Sequence, residues 1–272
     1  MTASWKAFTV ETADHIATVT MTSGRGNLMG GDFWRELPLV FGELDADSEV
    51  RAIILRGSGD HFSYGLNLAD IGPVFGEVLG GALAEPRTRF HDTIRSMQNS
   101  ITAVANCRKP VIAAISGWCI GGALDLISAV DIRYASADAR FSIREVKVGM
   151  VADVGSLARL PKIIGDGHLR ELTLTGRDFD AAKAEKIGLV TEVFANAEQL
   201  AAGARATALE LAANPPLVVQ GIKQVLDHSS GPAEADSLRF VAAWNAAFMP
   251  SEDMGEAVAA LMEKRPPRFS GR

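Results

Sequence analysis

The sequence predicts an α/β fold followed by a helical C-terminal region, and three observations carry that prediction. Between residues 15 and 134, short apolar runs alternate with turn clusters and helical patterns. Within that span, Val111–Tyr134 reads as strand, glycine turn, helix, strand, the unit from which α/β sheets are built. From Ala197 to Glu263 only helical patterns occur. At 272 residues and 47% hydrophobic composition the chain can bury a large core. We therefore divide it into a core, 1–196, and a helical region, 197–272.

The elements follow in order. Residues 15–21 (His-Ile-Ala-Thr-Val-Thr-Met) alternate apolar and polar, as a half-buried strand does. A helical pattern covers 31–46, and the apolar run 50–56 is a strand ended by Gly57-Ser-Gly-Asp60. The stretch 71–89 carries Gly72, Gly76, Gly80, Gly81 and two prolines, and reads equally as a surface loop or a flap over a pocket. Residues 92–107 place Ile94, Met97, Ile101 and Val104 on one helical face, with Arg108-Lys109-Pro110 as the basic last turn and stop. Val111–Ile115 is a buried strand running into Ser116–Gly122, after which 123–130 is helical and 131–134 extended. The C-terminal region is an Ala-rich helix to Ala213, a break at Asn214-Pro-Pro216, a helix to about His228, a turn at 229–232, and two helices split by Pro250.

Several function classes drop out. A net charge of −6 without a basic cluster gives no footprint for nucleic acid. The five histidines show no paired ligand spacing, so no metal is assigned, and Cys107 and Cys119 suggest neither a disulfide framework nor a zinc site. There is no G-x-S-x-G elbow and no dinucleotide fingerprint after Gly57-Ser-Gly59. With no leader-like start and no stretch of membrane-spanning length, the expected location is the cytoplasm, without membrane insertion.

The chemistry gathers around glycine turns and acids. Gly121-Gly122 opens a helix directly after a buried strand, so unpaired N–H groups point at whatever lies above the strand end. A second turn, Gly59–Gly65, follows the strand ending at Arg56, and two such turns can give two main-chain donors to one carbonyl oxygen. Asp125 lies one helical turn past Gly122; Glu145 and Asp153 flank the run Val146–Gly149. Spacing alone leaves these acids open to plainer roles: a dipole complement at Asp125, a solvated strand residue at Glu145, an N-cap at Asp153.

The motifs Arg25-Gly-Asn27-Leu-Met29, Phe62-Ser-Tyr-Gly65, Lys109–Gly122, Ala139-Arg-Phe141 leading to Glu145, Arg159-Leu-Pro, Leu174-Thr-Gly-Arg177, Ala184–Val190 and Glu263-Lys-Arg-Pro266 occur in one order along the chain. In this the sequence resembles the enoyl-CoA hydratase/isomerase, or crotonase, family over nearly its whole length. The resemblance implies a spiral of ββα units with a helical C-terminal part that builds homotrimers, often paired into hexamers. It implies an acyl-CoA thioester substrate whose oxygen is held by the main-chain amides of Tyr64 and Gly122. Coenzyme A enters as part of the substrate, and no separate cofactor is implied. Asn27, Ser63, Gly65 and Gly121 fall in the matched motifs as substrate-binding positions. Lys264 and Arg265 are CoA phosphate contacts by the same analogy, or a solvated helix end.

Asp125 and Glu145 match the two glutamates with which family hydratases add water. Position 153 is usually glycine in hydratases, and the trio Asp125, Glu145, Asp153 looks like the dienoyl-CoA isomerase branch. Moving a 3,5-diene to 2,4 takes a proton from C2 and delivers one at C6, too far apart for one short side chain. Hence Glu145 is expected as base at C2, Asp153 as acid at C6, and Asp125 as the group that orients Glu145. The alternatives are an enoyl-CoA hydratase using Asp125 and Glu145, and an acyl-CoA-binding member without turnover. Tyr64 replaces a small residue usual in the family, Asn67 stands where an acid is common, and Gly24-Arg-Gly26 is a shorter lead into Asn27 than usual. These departures bear on substrate shape.

Overall fold

The computed structural model describes residues 5–70, 72, 76, 84–228, 231–248 and 251–268. A six-stranded sheet runs in the order β1 (Phe8–Ala13), β2 (Ile16–Met21), β3 (Ala52–Gly57), β4 (Val111–Ile115), β6 (Ile132–Ser136), β9 (Glu192–Phe194). Only β1 and β2 are antiparallel; the rest are parallel. Their hairpin turns on Asp14 and His15, both at positive φ (53° and 62°), the conformation a two-residue turn needs to match strand twist. A smaller sheet joins β5 (Trp118–Ile120), β7 (Arg140–Ser142) and β8 (Phe179–Asp180).

Alternation along β3 and β4 sends side chains to two cores. Ile53, Leu55, Val111, Ala113 and Ile115 join Phe33, Leu37, Phe41, Ile101 and Val104 from helices Gly31–Ala46 and Ala84–Asn106. Ile54, Ile112 and Ala114 meet Leu200, Ala204, Ala208 and Ala212 on the opposite face. Every fourth residue of helix Ala197–Ala213 is thus small or apolar where it lies on the sheet, which lets its backbone come close. Each fully buried Ile or Leu contributes about 2 kcal/mol of hydrophobic stabilisation.

The helices Gly31–Ala46, Pro216–His228, Gly231–Phe248 and Glu252–Met262 fall where their apolar periodicity and the breaks at Asn214-Pro215 place them. Two differences stand out. Helix Ala84–Asn106 begins eight residues before the expected 92, so 84–89 is not loop. Pro86 sits in its first turn, where a missing N–H breaks no helical bond. The remainder of the expected 71–89 loop lies outside the described residues, apart from helical Gly72 and Gly76. Strand β1 escaped the periodicity because it is an edge strand whose burial does not alternate.

Helix Gly231–Phe248 packs on helix Ala84–Asn106, with Phe90, Ile94, Ala242, Ala246 and Met254 in a third, smaller core. Among the described residues no helix is long and apolar enough to cross a membrane.

Candidate active site

Two loops leave the ends of β3 and β4 and are laced together. Ser63 N–H donates to Trp118 O at 3.0 Å and Ile120 N–H to Ser63 O at 3.1 Å; Met29 N–H donates to Gly65 O at 2.8 Å and Asn67 N–H to Met29 O at 3.1 Å. Asn27, fully buried, clamps the first loop: its Nδ2 donates to the carbonyls of Ser58, His61 and Phe62, and its Oδ1 accepts from Ser58 Oγ. Ser63 Oγ donates to Asn27 O and accepts from Gly65 N–H. Gly65 is at φ 78°, and a Cβ there would stand 2.4 Å from Ile120 O, so only glycine fits.

The second loop turns at Gly121 (φ 56°), whose N–H donates to Ser142 O at 2.9 Å. In each loop the amide after the positive-φ glycine, Leu66 N–H in the first and Gly122 N–H in the second, has no hydrogen-bond partner among the described residues. The two converge: a Cβ on Gly65 would lie 3.1 Å from Gly122 N, and one on Gly122 would lie 3.8 Å from Leu66 N. Together they form a two-amide cradle for an oxyanion.

This corrects the expected donor pair. The Tyr64 amide is engaged, donating to Gly26 O at 2.9 Å, so the amide left unpartnered in the first loop, among the described residues, is that of Leu66 and not of Tyr64. The Tyr64 ring lies over Gly26, where a Cβ would stand 2.0 Å from its Cδ2, and packs edge-on against His61 at 5.0 Å. Gly26 thus makes the room the large residue at 64 requires.

The three acids meet on one cavity of about 150 Å3, lined by Tyr64, Leu66, Gly121, Gly122, Asp125, Glu145 and Asp153 among apolar groups that include Trp34, Met97 and Val154. Asp125, fully buried in the short helix Gly122–Ser128, accepts from Ser156 N–H at 2.5 Å through Oδ1, while Oδ2 has no partner among the described residues. Glu145 opens a 3-10 turn, Glu145–Val148, rather than lying in a strand. Its carboxylate rests against the second loop, since a Cβ on Gly121 would come within 3.1 Å of Oε1; Oε2 is likewise without a partner among the described residues. Asp153 Oδ2 accepts from Asn245 Nδ2 at 2.6 Å. That same Nδ2 donates to Val151 O at 2.8 Å, and Gln98 Nε2 donates to the main-chain oxygens of Asp153 (2.6 Å) and Leu238 (2.9 Å).

Burial dominates the electrostatics and favours the neutral form of each acid. It raises Asp125 against the hydrogen bond from Ser156 and the charge of Arg159. Glu145 is pushed up to about 8, by burial and then by the charges of Asp125 and Asp153. Asp153 is pushed up to about 7, by burial and the Asp125 charge, with the Asn245 hydrogen bond opposing. Near neutral pH the site therefore holds a proton that can move.

The remaining expected contacts are not on this cavity. Asn27, Ser63 and Gly65 build the first loop from behind. Arg265 pairs with Glu256 at 2.5 and 2.9 Å and with Glu263 at 2.6 Å, while Lys264 is exposed. Leu66, Asn245 and Gln98 were not singled out from the sequence. Leu66 carried a signal, the position after a turn glycine, as at Gly122. Asn245 carried none, being 92 residues from the acid it touches.

The family model described as enoyl-CoA hydratase/isomerase matches residues 11–272. The chain is 42% identical over 243 residues to the mitochondrial Delta(3,5)-Delta(2,4)-dienoyl-CoA isomerase of Dictyostelium discoideum, covering 89% of this chain and 83% of that protein. It is 43% identical over 245 residues to the peroxisomal Delta(3,5)-Delta(2,4)-dienoyl-CoA isomerase of Arabidopsis thaliana, covering 90% and 88%. Among solved structures, the enoyl-CoA hydratase/isomerase of Pseudoalteromonas atlantica T6c superposes with a TM-score of 0.84 at 26% identity, covering 97% of this chain and all of that one.

Proposed function

Because this chain belongs to the enoyl-CoA hydratase/isomerase family, we propose that it is a Δ3,5-Δ2,4-dienoyl-CoA isomerase. The observation that carries this is Asp153: a third carboxyl on the acyl cavity, with its pKa raised to about 7, beside Glu145 at about 8. The relatives' printed activity agrees with it.

The thioester oxygen sits on the Leu66 and Gly122 amides. Glu145 removes a proton from C2, and the electrons of that C–H bond move into the C1–C2 bond as the carbonyl becomes an enolate. Collapse of the enolate forms the C2–C3 and C4–C5 double bonds while C6 takes a proton from Asp153. The change is redox-neutral and needs no group beyond the substrate's own coenzyme A. Each lost amide donor costs on the order of 3 kcal/mol of transition-state stabilisation. Asp125, deep behind Glu145, raises the basicity of that carboxyl by its charge. Exchange of one proton between Glu145 and Asp153, directly or through water, resets the site.

Two further assignments belong to this reading. The helical region 197–272 assembles the chain into a homotrimer or a pair of trimers, in keeping with exposed Leu217, Val218, Ile222 and Val225 on one helix; the molar mass in solution by multi-angle light scattering decides it. The cytoplasm is its location, although the relatives' names place those proteins in mitochondria and peroxisomes; cell fractionation decides that.

The test of the reaction is incubation with a 3,5-dienoyl-CoA while following the absorbance of the 2,4-diene. Conversion that vanishes in Asp153→Asn, with acyl-CoA binding retained, is expected. Hydration of a 2-enoyl-CoA without diene migration would assign a hydratase instead, and tight acyl-CoA binding with neither reaction a non-catalytic member.

A further inference from the structure

Helix Gly231–Phe248 buries Leu238, Val241, Ala242 and Ala246 along one stripe, and in that stripe stands Asn245, 1% exposed. A buried amide in an apolar stripe costs stability unless it is fully bonded, and an apolar side chain there would pack without that cost. Both of its N–H groups are engaged by acceptors, Val151 O at 2.8 Å and Asp153 Oδ2 at 2.6 Å. Two acceptor partners fix which end of the amide faces the acid. With Oδ2 committed to an N–H donor, the transferable proton of Asp153 resides on Oδ1.

Resting on the isomerase reading, we propose that Asn245 is the positioning residue for proton delivery, holding Asp153 Oδ2 so that Oδ1 releases its proton toward the acyl chain. No covalent change occurs at Asn245. Its donor stabilises the carboxylate that Asp153 becomes as the O–H bond breaks and the C6–H bond forms. The charged groups facing Asp153 are the carboxyls of Asp125 and Glu145 across the cavity, with Arg144 also on its lining. From the other helix packed here comes Gln98, which touches only the main-chain oxygen of Asp153 and is itself held by Arg95 at 2.7 Å. Asn245 is thus the donor aimed at the carboxyl itself.

Gln98 supplies the control. Asn245→Leu keeps the branched shape of the side chain, at somewhat larger volume, and removes the donor; Gln98→Met removes an equally buried amide and leaves the carboxyl untouched. We expect Asn245→Leu to raise the Asp153 titration, followed by carboxyl carbon NMR and assigned with Asp153→Asn, by about one to two pH units. Its alkaline kcat flank should move up with it, kcat should fall about tenfold, and KM should change less than about threefold. Gln98→Met should lower thermal stability and leave titration and flank in place. If Asn245→Leu fails to fold, the smaller Asn245→Ala gives the same reading, since it too removes the donor and adds no titrating group. A folded variant with an unmoved Asp153 titration, or a Gln98→Met variant that moves it as far, overturns the proposal. Wild-type protein that fails to convert the 3,5-diene overturns the reaction instead, and the titration still decides the role of Asn245.

Discussion

The two walls of the cavity are held in different ways. The donor wall, Leu66 and Gly122, is tied by main-chain hydrogen bonds between loops that leave neighbouring parallel strands, so it is built as the sheet is built. The acid wall, 144–154, hangs from helices far from it in sequence, one earlier (Ala84–Asn106) and two later (Gly231–Phe248 and Glu252–Met262). Asn245 and Gln98 hold Asp153, and Met254 backs Gly149, where a Cβ would stand 3.1 Å from the Met254 Cα. Donors that must bind a developing charge sit on the wall fixed by main-chain hydrogen bonds. Groups that must lose and regain protons sit where packing from a distance tunes them.

The largest break in this comparison comes from the acid wall. Glu145→Gln should lower kcat for diene migration by about 10^3-fold while leaving the affinity for a saturated acyl-CoA within about threefold. It should also stabilise the fold at high pH. Glu145 in the folded state holds its proton up to about pH 8, above the ordinary glutamate value of 4.5, so stability falls as pH rises through that window. The Gln variant escapes this loss: its Tm should exceed that of wild type by a few degrees at pH 9 and match it at pH 4. A Tm below wild type at pH 9 would contradict the burial of that carboxyl.

Next in size is the donor wall, where an amide-to-ester exchange removes one N–H and little else. At position 66 it should cost about 10^2-fold in kcat. At position 64 it should lower Tm through the lost bond to Gly26 O and change kcat less than about threefold. Equal rate losses at both positions would return Tyr64 to the cradle.

Smaller again is the response to pH. Below about pH 7 the Glu145–Asp153 pair is doubly protonated and the base is lost; above about pH 8 it is doubly charged and the acid is lost; between them one proton is shared, and turnover runs through the less populated arrangement with Glu145 ionised and Asp153 protonated. A narrow bell in kcat is expected, falling about tenfold per pH unit on either side, with flanks that belong to the pair rather than to either residue. In Asp153→Asn, any residual turnover should show its acidic flank below that of wild type, because one charge that raises Glu145 is gone.

What the sequence made legible follows the same division. Val111–Ile115, Gly121-Gly122 and Asp125 could be read because apolar runs and glycine turns act locally, and the helices from Ala197 on because their periodicity repeats. The unpartnered amide of the first loop lies two residues beyond the expected Tyr64, because the local motif marks the loop and not the amide left over once Tyr64 N–H bonds Gly26 O. Helix Ala84–Asn106 was begun late because glycine and proline upstream mask a first turn that tolerates Pro86. Asn245 was invisible because its meaning lies in a tertiary contact; on its own helix it is one polar residue in an apolar stripe.

The smallest effect isolates the packing between the acid wall and the last helix. Gly149 and Gly188 both sit at positive φ, 73° and 80°, so alanine at either carries the same left-handed strain, on the order of 1 kcal/mol. Only Gly149 is also crowded by main chain, for a Cβ at Gly188 meets nothing nearer than Ile163 O at 3.4 Å. Gly188→Ala should therefore lose about 2–4 °C of Tm and Gly149→Ala at least as much. Gly149→Ala must in addition push Ser251-capped helix Glu252–Met262 away from the turn that carries Glu145, and kcat should fall by about threefold to tenfold. Gly188→Ala should leave kcat alone. If the two variants match in both measurements, the last helix only covers the acid wall, and the placement of Glu145 comes from the 3-10 turn itself.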